Sequence, residues 1–463
     1  MTPVSINDFV NKELVLFSRQ DCIRSIPSMI DGLKPSQRKV LYGCLKRDLT
    51  KEIKVVQLSG YISETVLYHH GEQSLNQTII SMAQDFVGSN NLNFLVPNGQ
   101  FGTRIMGGKD SASPRYIYTY LQPITKYVFR EEDEPLLAKQ EEEGVVIEPK
   151  HFLPILPTVL VNGATGIGTG WSTTICNHNP VEVVDRLIDR LNGSSSSEPL
   201  YPWYRGFTGC FKRDKNAPST SFQVYGHCQW VDSTTLVINE LPVGKWTQDY
   251  KMFLCELLQQ GKLISGFKEN HTDTEVAFTV TVKESVAKDL IKNEEECMKT
   301  FKLVSTMSTK NYFLFNAEGH IQHYADSLAI LDDFIAYRLP FYQQRKESML
   351  KRLTVEKEVL QNKASFVQGV IDGAITLKNR PLKSVVAELE KSGLKKEKNG
   401  YEYLLSMPVS QLTAEEKQAL EVRRDEMEKK TVELENKTSK DLWIDDLKEF
   451  RSAFLQVRCG AAA

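Results

Sequence analysis

Three short stretches carry side chains whose types and spacing could do chemistry. Arg115-Tyr116 closes the glycine-rich run PNGQFGTRIMGGKDSASPRYIYTYL. A tyrosine there can be a packed aromatic with a satisfied hydroxyl. It can also be a nucleophile, a phenol attacking phosphorus while the planar Arg115 fork steadies the phosphoryl oxygens. The second stretch is Tyr68-His69-His70-Gly71-Glu72. Adjacent histidines point to different sides of a chain and rarely share one metal. They can form a surface or capping pair, or one can bond a phosphate or help take the tyrosine proton. The third is Asn162-Gly-Ala-Thr-Gly-Ile-Gly-Thr-Gly-Trp171. It lacks the lysine of a Walker loop and the strand–turn–helix setting of a dinucleotide loop. Ile167, between Gly166 and Gly168, is either an apolar wedge for a DNA step or a tight turn with its side chain in a core.

The elements that must position these residues are partly legible. Ser36 is expected to cap a helix through Gln37, Arg38, Lys39, Val40 and Leu41. A second helix is predicted from Gly71-Glu72 through Leu75, Ile79, Met82 and Phe86. Lys34, Arg38, Lys39, Lys46, Arg47, Lys51 and Lys54 face only Asp48 and Glu52 over the same span, a local phosphate-binding patch. Ser194 to Ser197 reads as a loop. From about 200 to 325 the pattern is mixed α/β. Residues 235–238 and 276–282 are β-rich, and Thr247 is expected to cap a helix through Tyr250, Phe253, Leu257 and Leu258. Residues 311–315 with Asn316-Ala-Glu-Gly319 read as a strand and hairpin turn.

Beyond Asp326 the apolar repeat becomes seven. Ile335, Tyr342 and Met349 follow it, as do Leu339, Leu353, Leu360 and Val367 around a polar slot at Lys346. Thr413 and Glu416 form a capping box before Leu420, Met427 and Leu434. Two such helices predict a long antiparallel coiled-coil arm. Between them, residues 373–412 form a cap whose Leu382, Val385, Val386 and Leu389 make an apolar patch suited to a symmetric dimer. The terminal Gly460-Ala-Ala-Ala reads as a frayed end.

Composition sets the outer limits. The 463 residues are 41% hydrophobic and 25% charged, which excludes collagen, a disordered tail and a membrane-spanning protein. Asp8 and Glu13 interrupt the start, so it does not read as a signal peptide. Basic and acidic residues number 57 and 59, so bulk charge selects no partner. The eight cysteines contain no C-x-x-C, which argues against zinc and fits a reducing compartment.

Four ordered runs are more specific than any of these features. IRSIPSMIDGLKPSQRKVLYGC, YHHGEQSLNQTIISMAQDFVGSNN, PNGQFGTRIMGGKDSASPRYIYT and LPILPTVLVNGATGIGTGWST resemble the DNA breakage-reunion region of eukaryotic-type DNA topoisomerase II. The resemblance covers nearly the whole chain. It implies that Tyr116 is the nucleophile forming a 5′-phosphotyrosyl link, that Arg115 stabilises the transition state and that His70 belongs to the cleavage centre. It places Arg24 at the cleavage centre as well, and implies DNA binding by Arg24, Lys34, Arg38, Tyr68, His69 and Ser74 and intercalation by Ile167.

The resemblance also implies a mixed α/β, multidomain fold. Its parts would be a winged-helix DNA cleavage domain (1–180), an α/β tower (181–325), a coiled-coil arm (326–372 and 413–456) and a helical dimer gate (373–412). The implied partners are double-stranded DNA, a second copy of the chain, and the ATPase and toprim regions of the same enzyme, with no membrane. A nuclear address is expected, with an organelle such as the mitochondrion as the alternative.

Mg²⁺ and ATP are implied as cofactors, held by domains missing from this chain. No E…D-x-D cluster is visible and no metal ligand is assigned; Glu131 to Glu134 and Glu141 to Glu143 read as solvated charge runs. The expectation is therefore a fragment or one part of a split gene product. The competing expectations are a non-catalytic DNA-binding dimerisation scaffold and a generic coiled-coil interaction protein. Arg115-Tyr116 disfavours the last.

Overall fold

The computed structural model describes residues 4–194, 196–214, 217, 220–377, 380–397 and 399–460. Ser195 of the serine run and the terminal alanines 461–463 lie outside the described residues. The described chain is mixed α/β. It falls into two units, one up to Arg338 and again from Ile444, the other Leu339–Trp443.

In the first unit, helix α1 (Val15–Ser25) leads to α2 (Pro35–Lys46). Pro35 presets the first helical φ, and Lys34 is the N-cap, its N–H donating to the Gln37 side chain at 2.9 Å. Ser36 therefore sits inside the helix, which corrects the expected cap. Strand β1 (Ile53–Lys54) runs into α3 (Val55–Thr65), and α4 (Glu72–Ala83) follows. Leu75, Ile79 and Met82 are buried along one face of α4, as their spacing requires. That helix stops before Phe86 because Gln84 turns extended. Its side chain instead donates to the carbonyls of Phe101 (2.8 Å) and Gly108 (3.3 Å) in the glycine-rich loop. Strand β2 (Tyr118–Thr119) pairs antiparallel with β1, Lys54 opposite Tyr118.

The segment 164–175 is a β-hairpin of β3 (Ala164–Gly168) and β4 (Trp171–Ile175). Beyond it, β5 (His227–Trp230), β6 (Thr235–Glu240), β7 (Ile264–Glu269) and β8 (Phe278–Val282) form an antiparallel sheet in the order β7-β8-β6-β5. Alternate residues Leu236, Ile238, Phe278, Val280 and Val282 are buried with Tyr250 and Leu254 of the helix Thr247–Gln260. Trp246, not Thr247, is the N-cap of that helix. A hairpin of Phe313–Phe315 and Ile321–His323 closes around Asn316 and Gly319.

One acidic run departs from its expectation. Asp133 is buried and paired with Arg338, which is itself 1% exposed and donates to the Pro154 carbonyl at 3.1 Å. The run Glu131 to Glu134 is thus not simply a solvated loop. The same pair fastens the start of helix α5 (Ser327–Ile371) within the first unit. The division between the two compact units thus falls at 338/339, inside this helix.

In the second unit, α5 runs antiparallel to α6 (Ala414–Asn436). Lys346 lies opposite Glu435 and Lys437, and Lys357 opposite Glu428, so the numbers fall on one helix as they rise on the other. The polar slot at Lys346 has a physical use. Its ammonium donates to the carbonyls of Glu435 (2.9 Å) and Lys437 (2.7 Å), groups that a helix C-terminus leaves unbonded. Thr413 caps α6 by accepting from the Glu416 N–H at 3.3 Å. Val385 and Leu389 are buried in a core with Phe366, Val367, Leu404 and Leu420, and Val386 packs against it. Of the expected tip patch, only Leu382 stands out in solvent.

Candidate functional site

Tyr116 and Arg115 stand on the surface because of what lies beneath them. The first turn of any helix leaves N–H donors without partners. Here the N–H groups of Val55 and Val56, opening α3, donate to the carbonyls of Ile117 (3.1 Å) and Pro114 (3.2 Å). These acceptors flank Arg115-Tyr116 on both sides. Ile117 is buried, and the two residues before it are pushed outward, leaving Tyr116 76% exposed. The positive end of the α3 dipole thus underlies the pair, a favourable place for a phosphate.

The glycine-rich loop leading to the pair is clamped at several points. Asp110 accepts from the Thr103 N–H (2.9 Å) and hydroxyl (2.5 Å). Arg104 forms a buried ion pair with Glu240 of β6 at 2.5 Å, and Glu240 also accepts from the N–H (3.1 Å) and hydroxyl (3.0 Å) of Thr208. The loop has little secondary structure, so these long-range bonds supply its order.

Ile167 is 80% exposed, which decides its alternative readings in favour of a surface position. The reason is the period of a strand. A Cβ at Gly166 would collide with the Ser25 carbonyl, and one at Gly168 would come within 3.1 Å of Cys22 Cα. Both glycines therefore lie against the end of α1, and the intervening Ile167 must project the other way. Lys34 tethers the same strand by donating to the Thr165 carbonyl at 2.8 Å, and burial lowers its pKa below the ordinary lysine value. Arg24, on α1, is exposed and held by Asp21 at 2.6 Å. Arg24, Lys34 and Ile167 are thus gathered around one hairpin.

The histidine stretch forms its own cluster at the start of α4. The rings of Tyr68 and His70 meet edge to face at 5.3 Å, and the Tyr68 hydroxyl lies 3.5 Å from the Ser74 hydroxyl. His69 is 3.1 Å from Glu142. His69, His70 and Ser74 are exposed. No hydrogen bond or ring contact among the described residues joins this cluster directly to Tyr116; Tyr116 lies by the first turn of α3, whereas the cluster follows its last turn.

Arg38 differs from its expectation. It is buried in a bidentate pair with Asp31, at 2.7 and 2.9 Å, and also donates to the Leu33 carbonyl at 3.1 Å. Its guanidinium fixes the turn before α2 and is not offered at the surface. Asp31 was not singled out from the sequence, since only its seven-residue offset from Arg38 hints at the pair. Asp21, an acid three residues before Arg24 on a helix, carries a more readable signal.

Among the described residues, no group of three or more His, Cys, Asp or Glu could hold a metal ion. The acidic runs do not converge, because Asp133 turns inward to Arg338 and Glu142 lies by His69. The run 162–171 goes from the C-terminus of a short helix (Thr158–Asn162) into the 164–175 hairpin and provides no helix N-terminus for nucleotide phosphates. Among the described residues, no cluster fits Mg²⁺, and the 162–171 run does not fit the phosphates of ATP. No described helix is long and apolar enough to cross a membrane, and Cys22, Cys44, Cys176, Cys210, Cys228, Cys255 and Cys297 are free.

An exposed Arg-Tyr pair over a helix N-terminus and an exposed isoleucine on a basic-flanked hairpin are chemically suited to a phosphodiester backbone. The family model for DNA gyrase/topoisomerase IV (A-type subunit) matches residues 24–448, and the chain belongs to that family. DNA topoisomerase 2 of Arabidopsis thaliana is 41% identical over 485 residues, which are 96% of this chain and 33% of that protein. DNA topoisomerase 2 of Plasmodium falciparum (isolate K1 / Thailand) is 41% identical over 487 residues, 97% of this chain and 34% of that protein. The chain thus spans about a third of the length of these curated relatives. The crystal structure of the Plasmodium falciparum topoisomerase II DNA-binding, cleavage and re-ligation domain matches 99% of this chain and 66% of that one. Its TM-score is 0.90 at 40% identity.

Proposed function

We propose that the chain is the DNA breakage-reunion core of a type II DNA topoisomerase, which opens one duplex transiently and lets another pass. The observation that carries this is Tyr116, exposed beside Arg115 over the positive end of α3, in a chain similar along its length to a cleavage and re-ligation domain. The Tyr116 oxygen attacks a backbone phosphorus and forms a phosphotyrosyl bond to the 5′ end. The bond to the 3′ oxygen breaks, the phenol gives up its proton and the leaving oxygen gains one. The phosphodiester energy is kept in the new bond, so resealing is the same reaction reversed. Arg115 steadies the phosphoryl oxygens. His70 serves the proton or a phosphate, and Arg24, Lys34, Tyr68, His69 and Ser74 bind the backbone. Ile167 enters a base step and bends the duplex. Arg38 supports this surface from beneath.

In this reading residues 1–180 are the winged-helix part, 181–325 the tower, and 326–372 with 413–456 a coiled-coil arm ending in the 373–412 dimer gate. The working form is a homodimer. Mg²⁺ and ATP are assigned to ATPase and toprim regions in the portion of the relatives that this chain does not span. A nuclear address, or an organellar one, follows from the resemblance alone. The second reading, a DNA-binding dimerisation scaffold without cleavage, is favoured by the lack of a metal cluster among the described residues.

Covalent trapping separates the two. End-labelled duplex is mixed with the chain and a metal-competent toprim region, resolved on a denaturing gel, digested with protease and analysed by mass spectrometry. An adduct on Tyr116 that disappears in Tyr116→Phe is expected. No adduct with the parent chain would leave the scaffold reading standing.

A further inference from the structure

We infer that Asp21 is a positioning residue that couples phosphate binding at Arg24 to the anchoring of the Ile167 hairpin. This rests on the reading of Arg24 and Ile167 as DNA-facing. The two oxygens of one carboxylate have different partners. Oδ1 accepts from Arg24 Nε at 2.9 Å and Nη2 at 2.6 Å. Oδ2 accepts from the Thr169 hydroxyl at 2.7 Å. Thr169 follows β3 at the hairpin tip, two residues from Ile167, and its carbonyl also accepts from Cys22 Sγ at 3.4 Å.

The two bonds differ in exposure. The Arg24 side chain is 65% exposed, whereas that of Asp21 is 14% exposed. Arg24 can therefore exchange its partner while Asp21 stays in place. A DNA phosphate offers the guanidinium the same charge and a similar planar match. When Arg24 swings to a phosphate, Asp21 loses its cationic partner and keeps the Thr169 hydroxyl, which becomes its main donor. The carboxylate thus holds Arg24 ready in the free protein and braces the wedge in the bound one. The Thr169 hydroxyl and, after it, the Arg24 guanidinium hold the Asp21 carboxyl below the usual carboxylate range in the free protein, and the Thr169 bond, the larger effect, remains when Arg24 leaves.

The test measures affinity and bending separately, on the same fluorophore-labelled duplex, by anisotropy and by energy transfer between the duplex ends. Asp21→Asn keeps a carbonyl for Thr169 but loses the charge that competes for Arg24. It should bind DNA about 2–5-fold more tightly, the range of one exposed ion pair removed, with bending retained. That gain should vanish in an Arg24→Gln background; a gain that survives there would be a general charge effect and would overturn the coupling. Thr169→Val, nearly isosteric, should leave affinity near the parent value while bent populations fall towards those of Ile167→Ala. Asp21→Ala should combine the two effects. If Ile167→Ala reduces bending and Thr169→Val does not, the role of Asp21 is wrong. If Ile167→Ala bends DNA as the parent does, the wedge reading itself fails.

Discussion

The Lys34 ammonium donates to the carbonyl of Thr165, 2.8 Å away and two residues before the exposed Ile167. The residue that caps the basic helix α2 is therefore also a brace for the hairpin. In the proposed reading, phosphate binding and wedge placement would therefore share parts on this surface.

Ile167→Ala should reduce DNA bending far more than it reduces binding. Phosphate contacts carry most of the affinity, whereas the wedge repays unstacking only in the bent state. Energy transfer between duplex ends reads the bent fraction, and a titration at fixed salt reads affinity. Equal losses in both would count against a wedge.

Arg115→Ala should slow adduct formation by about 10²–10³-fold, the scale of losing one oxyanion donor, with DNA affinity nearly kept. Tyr118→Phe is the control. It lies two residues on, paired with Lys54 in β2, with the Lys54 ammonium 5.9 Å from its ring. Its hydroxyl should be dispensable for cleavage. An adduct mapping to Tyr118 would transfer the nucleophile assignment to that residue.

His178 predicts an acid limit to stability. It is fully enclosed, with Nδ1 3.0 Å from the Leu160 carbonyl and Nε2 2.9 Å from the Ser327 hydroxyl. Burial pushes its pKa down to about 4 from an ordinary 6.5. Above 6.5 both folded and unfolded forms are neutral and nothing is lost. Between 6.5 and about 4 the unfolded chain takes up a proton that the folded one refuses, so stability falls with falling pH, by about 3 kcal/mol in all. Urea midpoints across that window should show the slope, and His178→Gln should flatten it at the cost of a lower plateau.

The Asp133–Arg338 pair should be costly to break and cheap to replace. Arg338→Met leaves a carboxylate buried and should destabilise the first unit by about 3–5 kcal/mol in denaturant unfolding. Asp133→Leu combined with Arg338→Met should recover most of that loss. A double variant as unstable as the single one would mean that other partners of these side chains dominate.

The parts legible in the sequence are those whose cause is local. The three-to-four spacing of Leu75, Ile79 and Met82 specifies the buried face of α4 whatever surrounds it. The alternation of Phe278, Val280 and Val282 specifies an inward strand face in the same way. Thr413 caps α6 with a donor three residues away. Residue types also suggest a chemistry, since a phenol beside a guanidinium suits attack on phosphorus, although a packed aromatic satisfies the same letters.

What the tertiary structure decided is which of those groups face solvent. Arg38 and Arg24 are both cations near α1 and α2, yet Asp31 takes one into the interior and Asp21 holds the other at the surface. Asp133 and Glu142 both sit in acidic runs, and Asp133 is drawn inside by a helix residue some 200 positions away. Ile167 projects because two glycines rest on the end of α1, and Tyr116 projects because the carbonyls around it complete the first turn of α3. Each of these outcomes depends on a partner remote in sequence. No local pattern encodes that partner, because burial is a property of the packed chain and not of the residue.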